Sequence, residues 1–211
     1  MLICVADPMC SWCYGFGPEL QALLVRLPEQ PLRLVMGGLR AHQTRPIDAV
    51  TRRMILQHWD EVGRRSGRSF DPALLLRDGF VYDTEPACRA VVTARHAAPA
   101  LAWPMFCAIQ HAFYVQARDV TRAEVLIEVH AEACAANGGS FPSAAQFAVA
   151  LQGEAMKRQT SADFRLTREW EVQGFPTLFA ERDGHYALLA AGYTKADILI
   201  ERARRFFDAQ D

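Results

Sequence analysis

An α/β fold is predicted from three features of the sequence. The first 40 residues carry a strand–helix–strand pattern, a long middle stretch repeats its apolar residues only at helical spacing, and two further strands and a helix follow near the end. Strands at both ends of the chain must share one sheet, so the helical middle is an insertion. The length of 211 residues suits one domain carrying such an insertion.

Leu2-Ile3-Cys4-Val5-Ala6 is a short, unbroken apolar run, the pattern of a strand buried on both faces. Asp7-Pro8 interrupts it. From about Ser11 to Leu27, the residues Phe16, Leu20, Leu23, Leu24 and Leu27 follow helical spacing. Pro18 inside that run predicts a kink or a late helix start, and Pro28 and Pro31 end it. Leu32 to Leu39 reads as a second strand closed by Gly37-Gly38, completing a right-handed βαβ unit with parallel strands.

From about Ala41 to Val172 no good strand is found. Helix starts are predicted at Thr84 before Glu85-Pro86, and at the capping-box sequences Thr121-Arg122-Ala123-Glu124 and Ser143-Ala144-Ala145-Gln146. Val50, Met54, Trp59 and Val62, and then Val125, Val129 and Ala133, form stripes expected to face a core. Thr177-Leu178-Phe179-Ala180 and Tyr186-Ala187-Leu188-Leu189-Ala190 flank Asp183-Gly184, the signal for a tight hairpin. Thr194-Lys195-Ala196-Asp197 opens a last amphipathic helix that runs to about Phe207.

Lys and Arg number 23 and Asp and Glu 24, a formal net charge of −1. That balance exerts no long-range pull on nucleic acid or an anionic membrane. No apolar run approaches the roughly 18 residues of a membrane span. The first residues lack the basic segment of a signal peptide, so a cytoplasmic protein is expected.

A reducing compartment argues against a structural disulfide framework for the six cysteines, and their placement is uneven. Cys10 and Cys13 are separated by two residues, while Cys4, Cys88, Cys107 and Cys134 stand alone. Cysteines at i and i+3 lie one above the other across a helical turn and can close a small disulfide. At a helix N-terminus, free backbone N–H groups and the dipole stabilise a thiolate, the attacking form in disulfide exchange. Cys10 is therefore expected to be exposed and nucleophilic, and Cys13, one turn in, to be buried and resolving. After a buried strand and at the head of a helix in a βαβ unit, this spacing is a strong redox signal. A zinc site would need two more ligands. His130 and Cys134, at i and i+4, have no other spacing to support them, and no metal is expected. The plainest alternative is a pair of core cysteines without a role.

Asp7-Pro8-Met9-Cys10-Ser11-Trp12-Cys13, with Tyr14 and Phe16, resembles the active-site segment of DsbA-like thioredoxin-fold proteins. Within them it is most similar to the FrnE-related branch of predicted protein-disulfide isomerases. Gly37-Gly38-Leu39, Pro86-Ala87-Cys88-Arg89-Ala90-Val91 and Gly174-Phe175-Pro176-Thr177 carry the resemblance over nearly the whole chain. It implies a thioredoxin fold, a central mixed sheet, with a large α-helical insertion. The thioredoxin-like part is then residues 1–40 and 163–211, and the insertion 41–162. It also implies a cis Phe175–Pro176 bond beside the cysteines, with the backbone of Phe175 pairing to an extended substrate peptide.

The expected activity is thiol–disulfide exchange on protein or peptide thiols and disulfides. It needs no metal or organic cofactor, and glutathione or a thioredoxin system would supply electrons. In the oxidising DsbA type a His precedes the second cysteine. Here that residue is Trp12, uncharged, which implies a less extreme thiol and a reductase or isomerase rather than an oxidase. Trp12 also reads as an apolar cap over the dithiol and a substrate contact. Asp7 is either a turn and capping residue or a proton acceptor for Cys13. Cys88 is either packing or a third redox cysteine near Cys10. Cys4, Cys107 and Cys134 read as core, and none of the six His residues shows a catalytic pairing. Two other functions compete. The same fold with a helical insertion resembles kappa-class glutathione transferases and 2-hydroxychromene-2-carboxylate isomerases, which place a Ser where Cys10 stands. A non-catalytic redox-sensing binding module is the other.

Overall fold

The computed structural model describes residues 1–138 and 141–208. Strand β1 (Leu2–Ala6) is followed by α1 (Ser11–Arg26) and β2 (Leu32–Met36). Strands β3 (Thr177–Arg182) and β4 (His185–Ala191) and helix α9 (Ala196–Asp208) close the chain. The sheet order is β2-β1-β3-β4, with β1 parallel to β2 and antiparallel to β3. The architecture is the expected thioredoxin fold with a helical insertion. The second strand ends at Met36, three residues short of the expected limit.

β1 lies inside the sheet and is buried along its whole length, which is why its sequence is apolar without alternation. Leu2, Cys4 and Ala6 face the main core with α1 and α9, while Ile3 and Val5 join Val35 under Leu166 and Trp170. α1 starts at Ser11 and runs continuously through Pro18, so the late start does not occur. Asp183 and Gly184 both adopt positive φ (54° and 80°), the backbone required by a type I′ hairpin turn.

Between β2 and β3 the regular elements among the described residues are all helical: α2 (Ala49–Ser66), α3 (Ala73–Leu76), α4 (Glu85–Ala97), a 3-10 turn (Pro99–Leu101), α5 (Ala102–Tyr114), α6 (Ala123–Asn137), α7 (Ala144–Gln152) and α8 (Glu154–Glu169). A cluster of rings knits α1, α2 and α5: Tyr14 stacks on Tyr114 at 4.6 Å, and Trp59 meets Phe70 at 5.2 Å and Tyr114 at 5.1 Å. The face of α2 that enters this cluster is Ile55, Trp59 and Val62, whereas Val50 and Met54 are exposed. The expected stripe was one residue out of phase in its first turns.

Three helix starts also differ from expectation. Thr121 spends its hydroxyl on Asp119, at 2.6 Å, and α6 begins two residues later without a side-chain cap. Thr84 does not cap α4; Asp83 accepts from the Glu85 N–H instead, at 3.0 Å. The first N–H of α9, from Ala196, is accepted by Glu19 of α1 at 2.9 Å. The Ser143–Gln146 capping box forms as expected.

β2 is an edge strand, and its outer backbone groups are met by side chains rather than left open. Asp163 of α8 accepts from Met36 N–H at 2.9 Å and pairs with both ends of the Arg95 guanidinium at 2.8 and 3.0 Å. Arg95 of α4 also donates to Leu34 O, and Thr167 to Met36 O. Helices α4 and α8 are thereby fastened to the sheet. No helix among the described residues is long and apolar enough to cross a membrane.

Glu19 holds α9 through Ala196 N–H, the Tyr193 hydroxyl (2.8 Å) and Lys195 (3.1 Å). Burial opposes the charge of Glu19, but these partners outweigh it and draw its carboxyl below the usual range. A carboxyl with a lowered folded value lends stability above its unfolded pKa of about 4.3, and that contribution is lost as pH falls through the folded value. Thermal melts from pH 6 down to pH 3 should therefore fall less steeply for Glu19→Gln than for the unsubstituted chain. Parallel curves would deny Glu19 this role.

Candidate active site

The last residue of β1 leads into a turn, Asp7 to Cys10, which delivers the chain to the head of α1. Asp7 is fully buried. Its Oδ1 accepts from Met9 N–H at 2.8 Å and its Oδ2 from Leu39 N–H at 2.7 Å, and the Cys88 thiol donates to Oδ2 at 3.5 Å. Burial pushes the Asp7 carboxyl up, and the hydrogen bonds from Met9, Thr84, Leu39 and Cys88 work against that push. Cys88 itself is buried in α4 and pushed well up by burial and the neighbouring Asp7 charge. It meets Asp7 rather than standing over Cys10 among the residues lining the cavity described below.

Cys10 is the N-cap residue of α1, with extended backbone, and its carbonyl accepts from Tyr14 N–H at 3.0 Å. Its side chain makes no capping bond and is free for other partners. The Cys10 thiol points at the Phe175 carbonyl, Sγ to O 3.7 Å. The expectation of an exposed sulfur is corrected: Cys10 is only 5% accessible and Cys13 2%. Phe175, Trp12 and Tyr82 stand around the first sulfur. Cys13 is pushed well above the ordinary thiol range, first by burial and then by the hydrogen bond and charge of Cys10; the Asp7 backbone N–H acts in the opposite sense. All six cysteines are free thiols.

The Phe175–Pro176 peptide bond is cis, and Gly192 N–H donates to Pro176 O at 2.7 Å. The Gly37-Gly38 pair serves this corner. A Cβ on Gly37 would lie 2.1 Å from the Phe175 ring, and one on Gly38, whose φ is 67°, would lie 2.7 Å from the Phe164 ring. Trp12 is partly buried, 6.2 Å from the Tyr193 ring, and the Arg65 guanidinium lies 5.6 Å from its centroid.

These walls enclose an open cavity of about 430 Å³ whose lining includes Cys10, Trp12, Arg40, His58, Tyr82 and Phe175. A second cavity, of about 510 Å³, lies along Trp170 to Phe175, Phe179 and Leu188; it shares Phe175 with the first but contains no cysteine. The Cys10 thiol lines the first. Sequence reasoning brought Asp7, Cys10, Trp12, Cys13, Phe175 and Pro176 to this end of the sheet. It missed Arg40, His58 and Tyr82, which come from stretches with no motif of their own. Cys107 and Cys134 are half-buried rather than fully core, and Cys134 Sγ lies 3.4 Å from His130 Nε2. Among the described residues no group of three or more His, Cys, Asp or Glu could hold a metal ion.

A cysteine pair at the head of the first helix, facing a cis-proline corner across a mixed sheet, marks a thioredoxin-fold oxidoreductase. No family model and no curated protein matches the sequence. Among solved structures, a candidate protein disulfide isomerase from Nitrosomonas europaea is 31% identical, with a TM-score of 0.90, covering 100% of this chain and 98% of its own. The cytosolic disulfide reductase DsbM from Pseudomonas aeruginosa, in its structure with GSH, is 30% identical at a TM-score of 0.76, covering 99% of this chain and 98% of its own. A probable DsbA oxidoreductase from Streptomyces coelicolor (15% identity, TM-score 0.74, 100% of this chain and 91% of its own) and a 2-hydroxychromene-2-carboxylate isomerase (13%, 0.66, 100% and 99%) share the fold. The chain belongs to the DsbA-like family of disulfide oxidoreductases.

Gly37→Ala should drive the Phe175 ring away and move its carbonyl from Cys10. We expect a loss of about 1–3 kcal/mol in stability, as for other overpacked sites, and a slower reaction with disulfide substrates in the folded fraction. Unchanged melting and unchanged rate together would show that the ring has room to move.

Proposed function

We propose that the chain is a cytoplasmic thiol–disulfide reductase or isomerase of the FrnE-related branch, acting on protein or peptide disulfides, with Cys10 attacking and Cys13 resolving. The observation that carries this is the placement of the Cys10 sulfur. It sits at the head of α1, in an open cavity, 3.7 Å from the backbone carbonyl of Phe175, with Cys13 in hydrogen-bond contact behind it.

The Cys10 thiolate attacks one sulfur of a substrate disulfide. A Cys10–substrate bond forms and the other substrate sulfur leaves as a thiolate, which takes a proton from solvent. Cys13 loses its proton, attacks Cys10 and releases the second substrate sulfur. The substrate gains two electrons and the pair becomes a disulfide. Cys13 is held protonated by burial and by Cys10's hydrogen bond and charge. Once Cys10 is tied in a mixed disulfide, its hydrogen bond and charge no longer act on Cys13, which ionises more readily. The resolving thiol is thus released for attack when it is needed.

Phe175 offers its backbone and Trp12 its ring to the substrate chain at the rim. Asp7 acts here as a clasp, because its carboxylate is occupied by Met9, Leu39 and Cys88 and reaches Cys13 only through its backbone N–H. Cys88 serves that clasp.

Cys10→Ser should abolish reduction of a protein disulfide, a fall of about two orders of magnitude or more for loss of the attacking thiolate. Cys13→Ser should stop turnover and accumulate a mixed disulfide, read by mass. A glutathione transferase would survive Cys13→Ser, and a binding module would bind without turning over, so full activity of the serine variant refutes the dithiol scheme.

The reductant we assign is glutathione, supported by the relative seen with GSH and by two side chains of the cavity. Arg40 and His58 both line it, a cation and an imidazole suited to a carboxylate. Arg40→Ala should raise the KM for glutathione about twofold to fivefold, the worth of a partly exposed ion pair. His58→Ala should have a smaller effect, and neither variant should alter kcat. Equal KM values in a steady-state assay would remove Arg40 from the glutathione site.

A further inference from the structure

The peptide unit joining Met9 to Cys10 is held along both edges. Its N–H, from Cys10, donates to Asp7 O at 3.0 Å. Its carbonyl, from Met9, accepts the Tyr82 hydroxyl at 2.6 Å. Met9 is fully buried, and its own N–H is tied to the Asp7 carboxylate at 2.8 Å. A peptide plane fixed on both edges cannot rock, and its orientation sets where the Cys10 Cα–Cβ bond points.

Tyr82 comes from the segment before α4, well outside the dithiol turn, yet its ring lines the Cys10 cavity. The ring is held independently of its hydroxyl. Phe80 packs at 5.8 Å and Phe113 at 5.5 Å, and the Arg40 guanidinium lies 5.5 Å from its centroid. The hydroxyl therefore has one assigned hydrogen-bond acceptor, and that acceptor is the carbonyl oxygen next to the reacting residue. A buried carbonyl presents the negative end of a dipole to a neighbouring thiolate. A hydroxyl proton bonded to that oxygen reduces the negative field at the sulfur.

The geometry points to Tyr82 as a positioning residue for Cys10: its hydroxyl fixes the Met9 carbonyl, aims the Cys10 sulfur into the cavity and favours its thiolate. This rests on the reading of Cys10 as the attacking sulfur. It also means that the helical insertion contributes to the reactivity of the dithiol as well as to the shape of the groove.

The test is the pH–rate profile of Cys10 alkylation by iodoacetamide in the reduced full chain, with the site of modification read by mass. Tyr82→Phe should slow alkylation at pH 7 about threefold to tenfold, the worth of one hydrogen bond, and displace the profile to higher pH. A superimposable profile overturns the inference, even if the variant melts earlier, because lost stability alone leaves the profile in place. If Tyr82→Phe fails to fold, a difluorotyrosine installed at position 82 keeps the ring and strengthens the donor. It should displace the profile to lower pH, and an unmoved profile overturns the inference equally. A sluggish Cys10 in the unsubstituted chain would instead overturn the dithiol reading. A reactive Cys10 with no response to position 82 removes Tyr82 alone.

Discussion

The carboxylate of Asp7 sits where three parts of the chain converge: the end of β1, the loop that leaves β2 and the first turn of α4. It accepts Met9 N–H from the first, Leu39 N–H from the second and the Cys88 thiol from the third. Burying an ionisable group away from water is unfavourable unless its hydrogen-bonding capacity is filled. Here the carboxylate fills it with donors that themselves need an acceptor once buried. The dependence runs in both directions. The donors make a buried carboxylate tolerable, and the carboxylate lets the two loops turn without stranding their N–H groups. The position of Cys10, three residues further on, follows from that exchange, as does the close approach of the Gly37-Gly38 loop to Phe175. Three of the four segments that carried the family resemblance, around Cys10, Gly37 and Cys88, meet at this one side chain.

Much of the fold was legible because its signals were local. β1 needed only its unbroken apolar run, and the hairpin only Asp183-Gly184, whose backbone adopts the positive φ values the turn requires. The Ser143 capping box is equally self-contained. What escaped was whatever depends on partners far along the chain. Glu19 caps a helix 177 residues away, a relation no window of sequence contains. Thr121 has the right neighbour for a capping box but a nearer carboxylate in Asp119 competes for its hydroxyl. The misphased stripe of α2 arose because Val50 and Met54 are apolar yet exposed, and periodicity cannot say which of two adjacent phases meets the core. At the site, the cysteines and the cis-proline corner were visible as motifs. Tyr82, Arg40 and His58 carry no pattern and are brought in by the tertiary fold.

The absence of charge at Trp12 was the reason for expecting a moderate thiol. The surroundings supplied by the fold add to that picture. The Arg65 guanidinium lies over the faces of both Trp12 and Tyr193, at 5.6 and 5.4 Å from their centroids. A cation therefore flanks the dithiol segment without belonging to it. Because Arg65 is exposed, its field is screened by salt over about a Debye length. A His within the segment would act at much shorter range. The two arrangements place a positive group beside the dithiol segment at very different strengths.

The helical block between β2 and β3 is not a lid on a self-sufficient sheet, because its contacts argue for mutual dependence. Arg95 from α4 and Asp163 and Thr167 from α8 satisfy the open edge of β2. Thr84 and Cys88 contribute to the environment of Asp7, and Tyr82 closes on Met9. Cutting the insertion out would expose the β2 edge as a template for pairing with other chains. It would also take Cys88 and Thr84 from the Asp7 carboxylate and the Tyr82 hydroxyl from the Met9 carbonyl, and a buried carbonyl without a partner is unfavourable by about 1–3 kcal/mol. With a net stability of about 5–15 kcal/mol for a typical domain, such losses take a large share of what holds the native state. The sheet and the helical block accordingly complete one another's buried polar groups, and the Cys10 sulfur lies at the seam where they meet.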